Sequence, residues 1–501
     1  MNYNKIRLIF YKAIIIFSIP STVMANNFVE QANLPTDVNN TCAVTLADWF
    51  PSDHVVTNGW VEPADSTAPI FANSKNNTKC DFFKWGSQMF LWLTSGVTDR
   101  HVFNYTPNFY NVSVENTDGK RQFLRSNGTL MLTVRDAKID GDIELGQAGG
   151  NDVLLSQDDS LVYYGIHAND IFAAYTIGQK KGAFAKQTLN DQFPVTDTEL
   201  ATVVQYAYQN NIPVIEPKAL AMELKTSWVD AATISPRSDY VITEAIVPIF
   251  DRSNPKGPWP VIGQTRKKLA LVGMHVVGSV NGHPELIWAT FEHVNNVPDN
   301  TYTYINSNEE NSTVAYDSST NEWVFLPKNL NKPTTIAATA KIDTTTSPQS
   351  IVGQPTPAPG ATPTTVIDAV NVIRYNPWGN SPAAQDKNSL ASNTALISLN
   401  KSILSQLNVG DIRGNYIQTG SVWTSNGNVP TSDLDSKLTA SLTLSNSTME
   451  TFHQHNFMPV DGEEFNPKNC FSCHNISNGS KKNLPENEIS HIFYDMEAVI
   501  E

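Results

Sequence analysis

Two cysteines and one histidine, Cys470, Cys473 and His474, have the clearest chemistry in this sequence. They form the motif C-x-x-C-H, in which the thiols lie three positions apart and an imidazole follows directly. On one helical turn this spacing places all three groups on one side. Such thiols can form thioether bonds to the vinyl groups of a haem, and the imidazole can ligate its iron. The motif therefore predicts one covalent haem c, with His474 as the proximal ligand.

The same cysteine spacing also occurs in zinc sites and in thioredoxin-like redox pairs. A zinc site normally needs a second pair of ligands, and the sequence has no other C-x-x-C and no H-x3-H pair. A thioredoxin-like pair should open a helix in a βαβ unit, and no such unit is predicted. Haem attachment is the preferred interpretation, with zinc binding and a simple disulfide as alternatives.

The second axial ligand of the iron is open from the residues alone. The candidates are histidines and methionines on both sides of the motif: His491 and Met496 downstream, and Met449, His453, His455 and Met458 upstream. The apolar spacing of Pro485–Ile500 predicts a helix with Met496 on its apolar stripe and His491 nearly opposite, which favours Met496. A vacant sixth position would instead favour peroxide or small-ligand chemistry.

The first 25 residues are typical of a secretory signal peptide. Lys5 and Arg7 precede an apolar run, and Val23-Met24-Ala25 is a small-residue cleavage site. We expect cleavage after Ala25 and a periplasmic or secreted protein, with an uncleaved N-terminal anchor as the alternative. No other stretch approaches about 18 apolar residues, so no membrane span is expected in the mature chain.

The net charge and the two remaining cysteines indicate which partners and which compartment the protein could have. The net charge of −15 argues against nucleic acid and anionic membranes as partners, and it is compatible with a redox partner protein. Cys42 and Cys80 remain outside the motif. An oxidising compartment favours a disulfide between them over two buried thiols.

The elements that must position the motif are predicted to form an α+β fold, with a large, mainly antiparallel β body, packed helices and a C-terminal helical haem-attachment segment. Four units are expected: the signal peptide 1–25, a β-rich body 26–331, a Thr/Pro-rich linker or surface excursion 332–366, and the haem segment 367–501. Few residues follow His474, so the pocket must be built from upstream chain. Apolar periodicity predicts helices at Asp81–Thr94, Asn169–Thr176, Asp197–Asn210, Leu390–Leu407, Leu442–His453 and Pro485–Ile500.

Asn281-Gly282 predicts a two-residue turn between two long strands. In that register His275 opposes Trp288. Strand alternation and distance then keep His275, His283 and His293 apart, so we expect no metal site among them.

Several segments together resemble a family of exported bacterial cytochrome c-like proteins that has no assigned substrate. The matching segments are Phe83–Trp85, Gln88–Leu93, Gly273–Val277, His283–Glu285, Ile287–His293, Asn296–Pro298, Asn446–Phe452, Asn469–His474 and Ser490–Phe493. The resemblance implies haem binding and redox activity, with the haem segment integral to the body. It also favours His491 and Met449 as candidates for the distal ligand. We therefore prefer His491, then Met449 and Met496.

The expected function is haem binding and electron transfer by a monohaem c-type cytochrome. One alternative is a haem-dependent oxidoreductase with a cleft near Trp288 and His275. Another is a structural or partner-binding protein.

Overall fold

A computed structural model describes the chain over residues 27–72, 79–96, 100–116, 118–132, 152–316, 322–327, 340–343, 348–353, 366–381, 386–451, 458–460, 463–465, 469–474 and 485–501. The predicted signal peptide lies outside these residues. The α-helices within them are α1 (Phe28–Gln31), α2 (Lys79–Leu93), α3 (Asp170–Lys180), α4 (Asp197–Gln209), α5 (Lys387–Leu404), α6 (Phe471–His474) and α7 (His491–Asp495).

The β-strands dominate the described part of the chain. They are β1 (Phe109–Val112), β2 (Arg121–Leu124), β3 (Thr129–Met131), β4 (Asp152–Val153), β5 (Tyr163–Asn169), β6 (Met222–Asp230), β7 (Ile242–Phe250), β8 (Trp259–Val280), β9 (His283–His293), β10 (Tyr302–Ile305), β11 (Asn311–Val314), β12 (Ala340–Asp343), β13 (Ser350–Gly353), β14 (Tyr416–Thr424), β15 (Leu438–Ala440), β16 (Met458–Val460), β17 (Glu463–Phe465) and β18 (Met496–Ile500).

Fourteen of these strands form one sheet, whose main path runs β15-β14-β9-β8-β6-β5-β1-β2-β18. Neighbouring strands are antiparallel, except that β18 runs parallel to β2 and β3 runs parallel to β7. This confirms the predicted α+β fold with a mainly antiparallel body. Among the described residues, no helix combines the length and apolarity that crossing a membrane requires.

Helices cover both faces of the sheet. Apolar residues around nearly the whole of α2 let it lie buried beside α5 on one face, where the Phe90 ring stacks on Phe291 at 4.3 Å between centroids. On the other face α3 begins at Asp170, and the side chain of the preceding Asn169 accepts a hydrogen bond from the Phe172 N–H and so caps the first turn. This second face also carries the C-x-x-C-H motif.

The central hairpin differs from its predicted register. Val280 opposes His283 as expected, but Gly278 then opposes Ile287, so the one β8 residue between them faces three residues of β9. The extra residues lie around Leu286, whose φ is 70°. His275 therefore opposes Thr290, and the prediction that it opposes Trp288 is wrong.

Two predicted helices are also wrong. Residues 442–451 are turns and irregular chain rather than an α-helix, because the Asn446 side chain and the Ser447 N–H bond to the sheet. The segment 485–500 divides into a 3₁₀ turn (Glu486–Ile489), the short helix α7 and the strand β18. Met496 therefore begins a strand and does not lie on the apolar stripe of a helix, as the sequence had predicted.

The disulfide between Cys42 and Cys80 is present, as predicted, with the two Cα atoms 5.5 Å apart. In the Thr/Pro-rich stretch 332–366 the described residues include β12 and β13, which pair with each other. Strand β13 also pairs with β8 through Ile351 and Trp259, so this part of the excursion is joined to the sheet.

Candidate functional site

The site is built on two neighbouring rows of side chains that cross the sheet on its second face. One row is set by the register of six strands: Tyr110, Ala168, Glu223, Val277, Trp288 and Val422. The next row on the same face is Ile166, Lys225, His275, Thr290 and Gly420. The first row is apolar except for Glu223, whereas the second has a charged and polar centre.

The motif forms a single helical turn held against this face. The Cys470 carbonyl accepts hydrogen bonds from the N–H groups of Cys473 and His474, at 3.2 and 3.0 Å. Asn469 caps the turn, because its Oδ1 accepts from the Phe471 N–H at 3.1 Å. Neither cysteine forms a disulfide; Cys473 is buried and Cys470 is partly exposed. Cys470, Cys473 and His474 therefore belong to one helical turn.

The His474 ring contacts two other aromatic rings. Its ring centroid is 4.3 Å from that of Trp288 and 4.1 Å from that of His491, and the two imidazoles are nearly parallel at 14°. Its Nδ1 is 2.9 Å from the Ile489 carbonyl oxygen. A carbonyl can only accept, so Nδ1 carries the proton and Nε2 keeps its lone pair.

The surroundings favour neutral side chains at the motif. Burial lowers the pKa of His474 well below its ordinary value, and the nearby His491 lowers it further. Burial raises the pKa of the Cys470 thiol, as do the nearby Glu450 and Cys473. A neutral imidazole with a bare Nε2 is the form that ligates a metal.

Three consecutive residues, Ile489, Ser490 and His491, connect the two imidazoles to the sheet. Ile489 provides the carbonyl that orients His474, and His491 provides the stacked ring. Ser490 caps α7 by accepting from the Phe493 N–H at 3.2 Å, while its hydroxyl donates to the Glu223 carboxylate. Both imidazoles are therefore positioned through one short segment.

The structure separates the candidates for a second iron ligand. His491 contacts His474, and Met496 belongs to the same apolar cluster as Phe471 and Trp288. Met449 is fully buried in a different cluster with Leu154 and Val272. His453, His455 and the Met458 side chain lie outside the described residues.

A histidine–glutamate pair beside the motif was not predicted from the sequence. His275 Nε2 lies 2.9 Å from Glu450 Oε1, and both side chains are partly exposed. Burial raises the pKa of Glu450, but the charges of His275 and Lys225 and its hydrogen bonds outweigh this and lower it to about 2.

The 446–451 loop holds Glu450 in place through buried hydrogen bonds. The Asn446 side chain donates to Thr290 Oγ1 at 2.9 Å, and the Ser447 N–H donates to Glu292 at 2.9 Å. The Thr448 and Ser227 hydroxyls lie 2.6 Å apart. The strong polarity of Asn446-Ser447-Thr448 is the sequence signal that could have indicated a bonded loop here.

The residues present fit the chemistry of covalent haem attachment. Two cysteines that form no disulfide and an imidazole whose Nε2 carries no proton share one turn. Within the described ranges, no group of three or more His, Cys, Asp and Glu side chains is arranged to hold a bare metal ion. The protein supplies only the axial ligands of a haem iron, so the lack of a three-residue group among the described residues is not evidence about a haem.

Comparisons of the chain with protein-family models, with curated proteins and with solved structures find no match.

Proposed function

We propose that this protein is an exported monohaem c-type cytochrome that carries electrons. Cys470 and Cys473 would form the thioether bonds, and His474 would be the proximal iron ligand. The observation that carries the proposal is the hydrogen bond from His474 Nδ1 to the Ile489 carbonyl, on the same turn as two cysteines that form no disulfide. This bond leaves Nε2 as the nitrogen available to iron.

His491 is the preferred sixth ligand. It lies beside His474, whereas Met449 lies in another core cluster. Because the two rings stack face to face, His491 would have to turn away from His474 to ligate an iron from the other side. A bound haem supplies a one-electron couple, and two histidine ligands would leave no open position for a substrate. The chain's own contribution is to hold both imidazoles and to pack Trp288 against His474.

Export to the periplasm or beyond is part of the proposal. It is supported by the signal-like N-terminus and by the disulfide between Cys42 and Cys80, because disulfides persist in oxidising compartments. The electron donor or acceptor would be a partner protein.

A second candidate function is a haem-dependent oxidoreductase that acts on peroxide or another small molecule. The observation that favours it is the partly exposed His275–Glu450 pair beside the motif, since such a pair can move a proton.

Expression of the mature chain with haem-attachment machinery tests the proposal. We expect haem that stays bound to the denatured polypeptide, and its loss when Cys470 and Cys473 are replaced with serine. The matched control replaces Cys42 and Cys80 with alanine, which also removes two cysteines but should leave covalent haem in place. A parent protein without covalent haem would contradict the proposal.

Absorption spectra distinguish the two functions. A six-coordinate, low-spin spectrum that becomes high-spin in His491→Ala is expected for the electron carrier. Met496→Leu and Met449→Leu are the matched variants and should leave the spectrum unchanged. A five-coordinate parent that reacts with peroxide, and loses that reaction in His275→Gln, would favour the oxidoreductase.

A further inference from the structure

Electron transfer alone gives no role to the charged centre of the second row of side chains. Lys225 on β6 and His275 on β8 oppose each other in the register, and Glu450 approaches them from the 446–451 loop. His275 Nε2 lies 2.9 Å from Glu450 Oε1, and 16% of the His275 side chain is exposed. Protons from solvent can therefore reach this imidazole.

The bonds of Glu450 determine which nitrogen of His275 carries the proton. The Asn446 N–H donates to Glu450 Oε2 at 2.9 Å, while Oε1 faces His275. Burial raises the pKa of Glu450, but the charges of His275 and Lys225 and these hydrogen bonds lower it to about 2, so the carboxylate is ionised at neutral pH. A carboxylate can only accept, so neutral His275 carries its proton on Nε2 and its lone pair on Nδ1. A second proton would therefore enter at Nδ1, and Glu450 would stabilise the resulting charge.

The His275–Glu450 pair lies beside the C-x-x-C-H motif. Trp288 contacts His474 at 4.3 Å between ring centroids, and it lies in the row next to that of His275 on the same face. Neighbouring rows are two residues apart along a strand, which is roughly 7 Å. Burial is the main cause of the lowered pKa of His474 and of the raised pKa of the Cys470 thiol, but the charges of His275 and Glu450 contribute to these shifts. A change of charge at the motif therefore changes the free energy of binding a proton at His275.

We propose that His275 takes up a proton from solvent when the protein accepts an electron, so that electron transfer by this chain is coupled to proton uptake. The inference rests on the proposed haem function and adds a second activity to it. One electron from the redox partner reduces the iron from Fe(III) to Fe(II), and one proton from water binds to His275 Nδ1. The added negative charge favours the imidazolium, and Glu450 accepts the Nε2–H in both states.

The expected coupling is about tenfold in proton affinity. Two unit charges roughly 10 Å apart, at an effective dielectric constant of about 20, change a binding constant by about this factor. A tenfold change corresponds to about 59 mV in a one-electron reduction potential. Imidazole exchanges its proton between about pH 5 and about pH 8, so the reduction potential should fall by about 59 mV as the pH rises through this range.

The test measures the reduction potential of the haem-loaded protein against pH. The fall should be lost in His275→Gln, whose side chain is polar but binds no proton. Glu450→Gln should move the fall to lower pH, because the imidazolium loses a nearby negative charge. Lys225→Met should move it to higher pH, because a positive charge opposite His275 is removed.

His54→Gln is the matched control, because it also removes a histidine but should leave the fall unchanged. His54 is exposed and precedes Val55, whose carbonyl accepts a hydrogen bond from Asn408 just after α5, on the opposite face of the sheet.

The protonation of His275 can also be followed without haem. In protein with Cys470 and Cys473 replaced with serine, the NMR signals of the His275 ring should titrate at lower pH in Glu450→Gln and at higher pH in Lys225→Met.

Three results would overturn the inference. They are a potential that does not change between about pH 5 and about pH 8, an equal fall in the parent and in His275→Gln, and shifts of the fall in the same direction in Glu450→Gln and Lys225→Met. These outcomes differ from failure of the haem proposal, in which the parent protein itself carries no covalent haem.

Discussion

Removal of the disulfide between Cys42 and Cys80 should lower the free energy of unfolding by about 4 kcal/mol. The two cysteines are 38 residues apart in sequence. In the chain-entropy model, a cross-link that closes a loop of this length removes about 13 cal/mol/K from the unfolded state, which is about 4 kcal/mol at 25 °C.

The native contacts around the disulfide do not depend on it. The Cys42 N–H donates to Ser398 Oγ at 3.1 Å, the Val44 N–H donates to Ser402 Oγ at 3.0 Å, and the Leu46 N–H donates to the Gln406 side chain at 2.9 Å. The acceptors Ser398, Ser402 and Gln406 are four residues apart, which is a rise of about 6 Å in a helix. The donors Cys42, Val44 and Leu46 are two residues apart, and two residues of extended chain cover about the same distance. The loss should therefore arise mainly in the unfolded state.

Urea unfolding followed by tryptophan fluorescence measures this loss in a Cys42→Ala/Cys80→Ala variant. Reductant should destabilise the parent by a similar amount and should leave the variant unaffected. Ser398→Ala is the comparison in which a native contact is lost and the cross-link is kept. A loss below about 1 kcal/mol in the double alanine variant, or a variant that remains sensitive to reductant, would refute the reasoning.

Three further predictions concern stability. Burial lowers the pKa of both His167 and His293 to about 3, so the unfolded chain binds protons that the native chain does not, and stability should fall as the pH drops from about 6.5 to about 3. Unfolding measured against pH should show this slope, and His293→Gln should reduce it; an unchanged slope would contradict the assignment. Arg374→Met leaves the buried Glu292 without its ion pair and should lower the free energy of unfolding by about 3–5 kcal/mol. Arg266→Met removes an exposed ion pair and should lower it by less than about 1 kcal/mol. Equal losses in urea unfolding would contradict this difference. In thermal unfolding, Gly427→Ala should destabilise the protein more than Gly410→Ala. Both glycines have positive φ, but a Cβ at Gly427 would lie 2.1 Å from the Gly282 carbonyl oxygen, whereas a Cβ at Gly410 would meet no atom within 4 Å. Similar losses of stability in the two variants would contradict this clash.

The sequence predicted those features that depend on neighbouring residues. The motif, the aromatic helix α2, the long strands and the turn at Asn281-Gly282 all follow from local spacing, and the structure contains them. The pairing of Cys42 with Cys80 followed from there being two cysteines outside the motif.

The features that depend on distant contacts were missed. Glu223 lies between Met222 and Leu224 on a buried strand, and its serine partner is 267 positions away, so no local pattern marks it. Helical periodicity favoured Met496, but pairing with β2 makes that residue the start of a strand. The helix predicted for 442–453 failed because Asn446 and Ser447 bond to the sheet instead of supporting a helical turn.

The motif and the two imidazoles lie between two anchors on the same sheet. Upstream, the 446–451 loop is bonded to β9 through Thr290 and Glu292. Downstream, β18 is paired with β2 at one end of the strand order, six strands away from β9. A movement that exposes the motif cannot be a simple hinge about one end, because each end is held by its own bonds. If both ends stay bonded, only the middle of this segment can move away from the sheet. If one end first breaks its bonds, more surface becomes exposed, so this second movement should depend more strongly on urea.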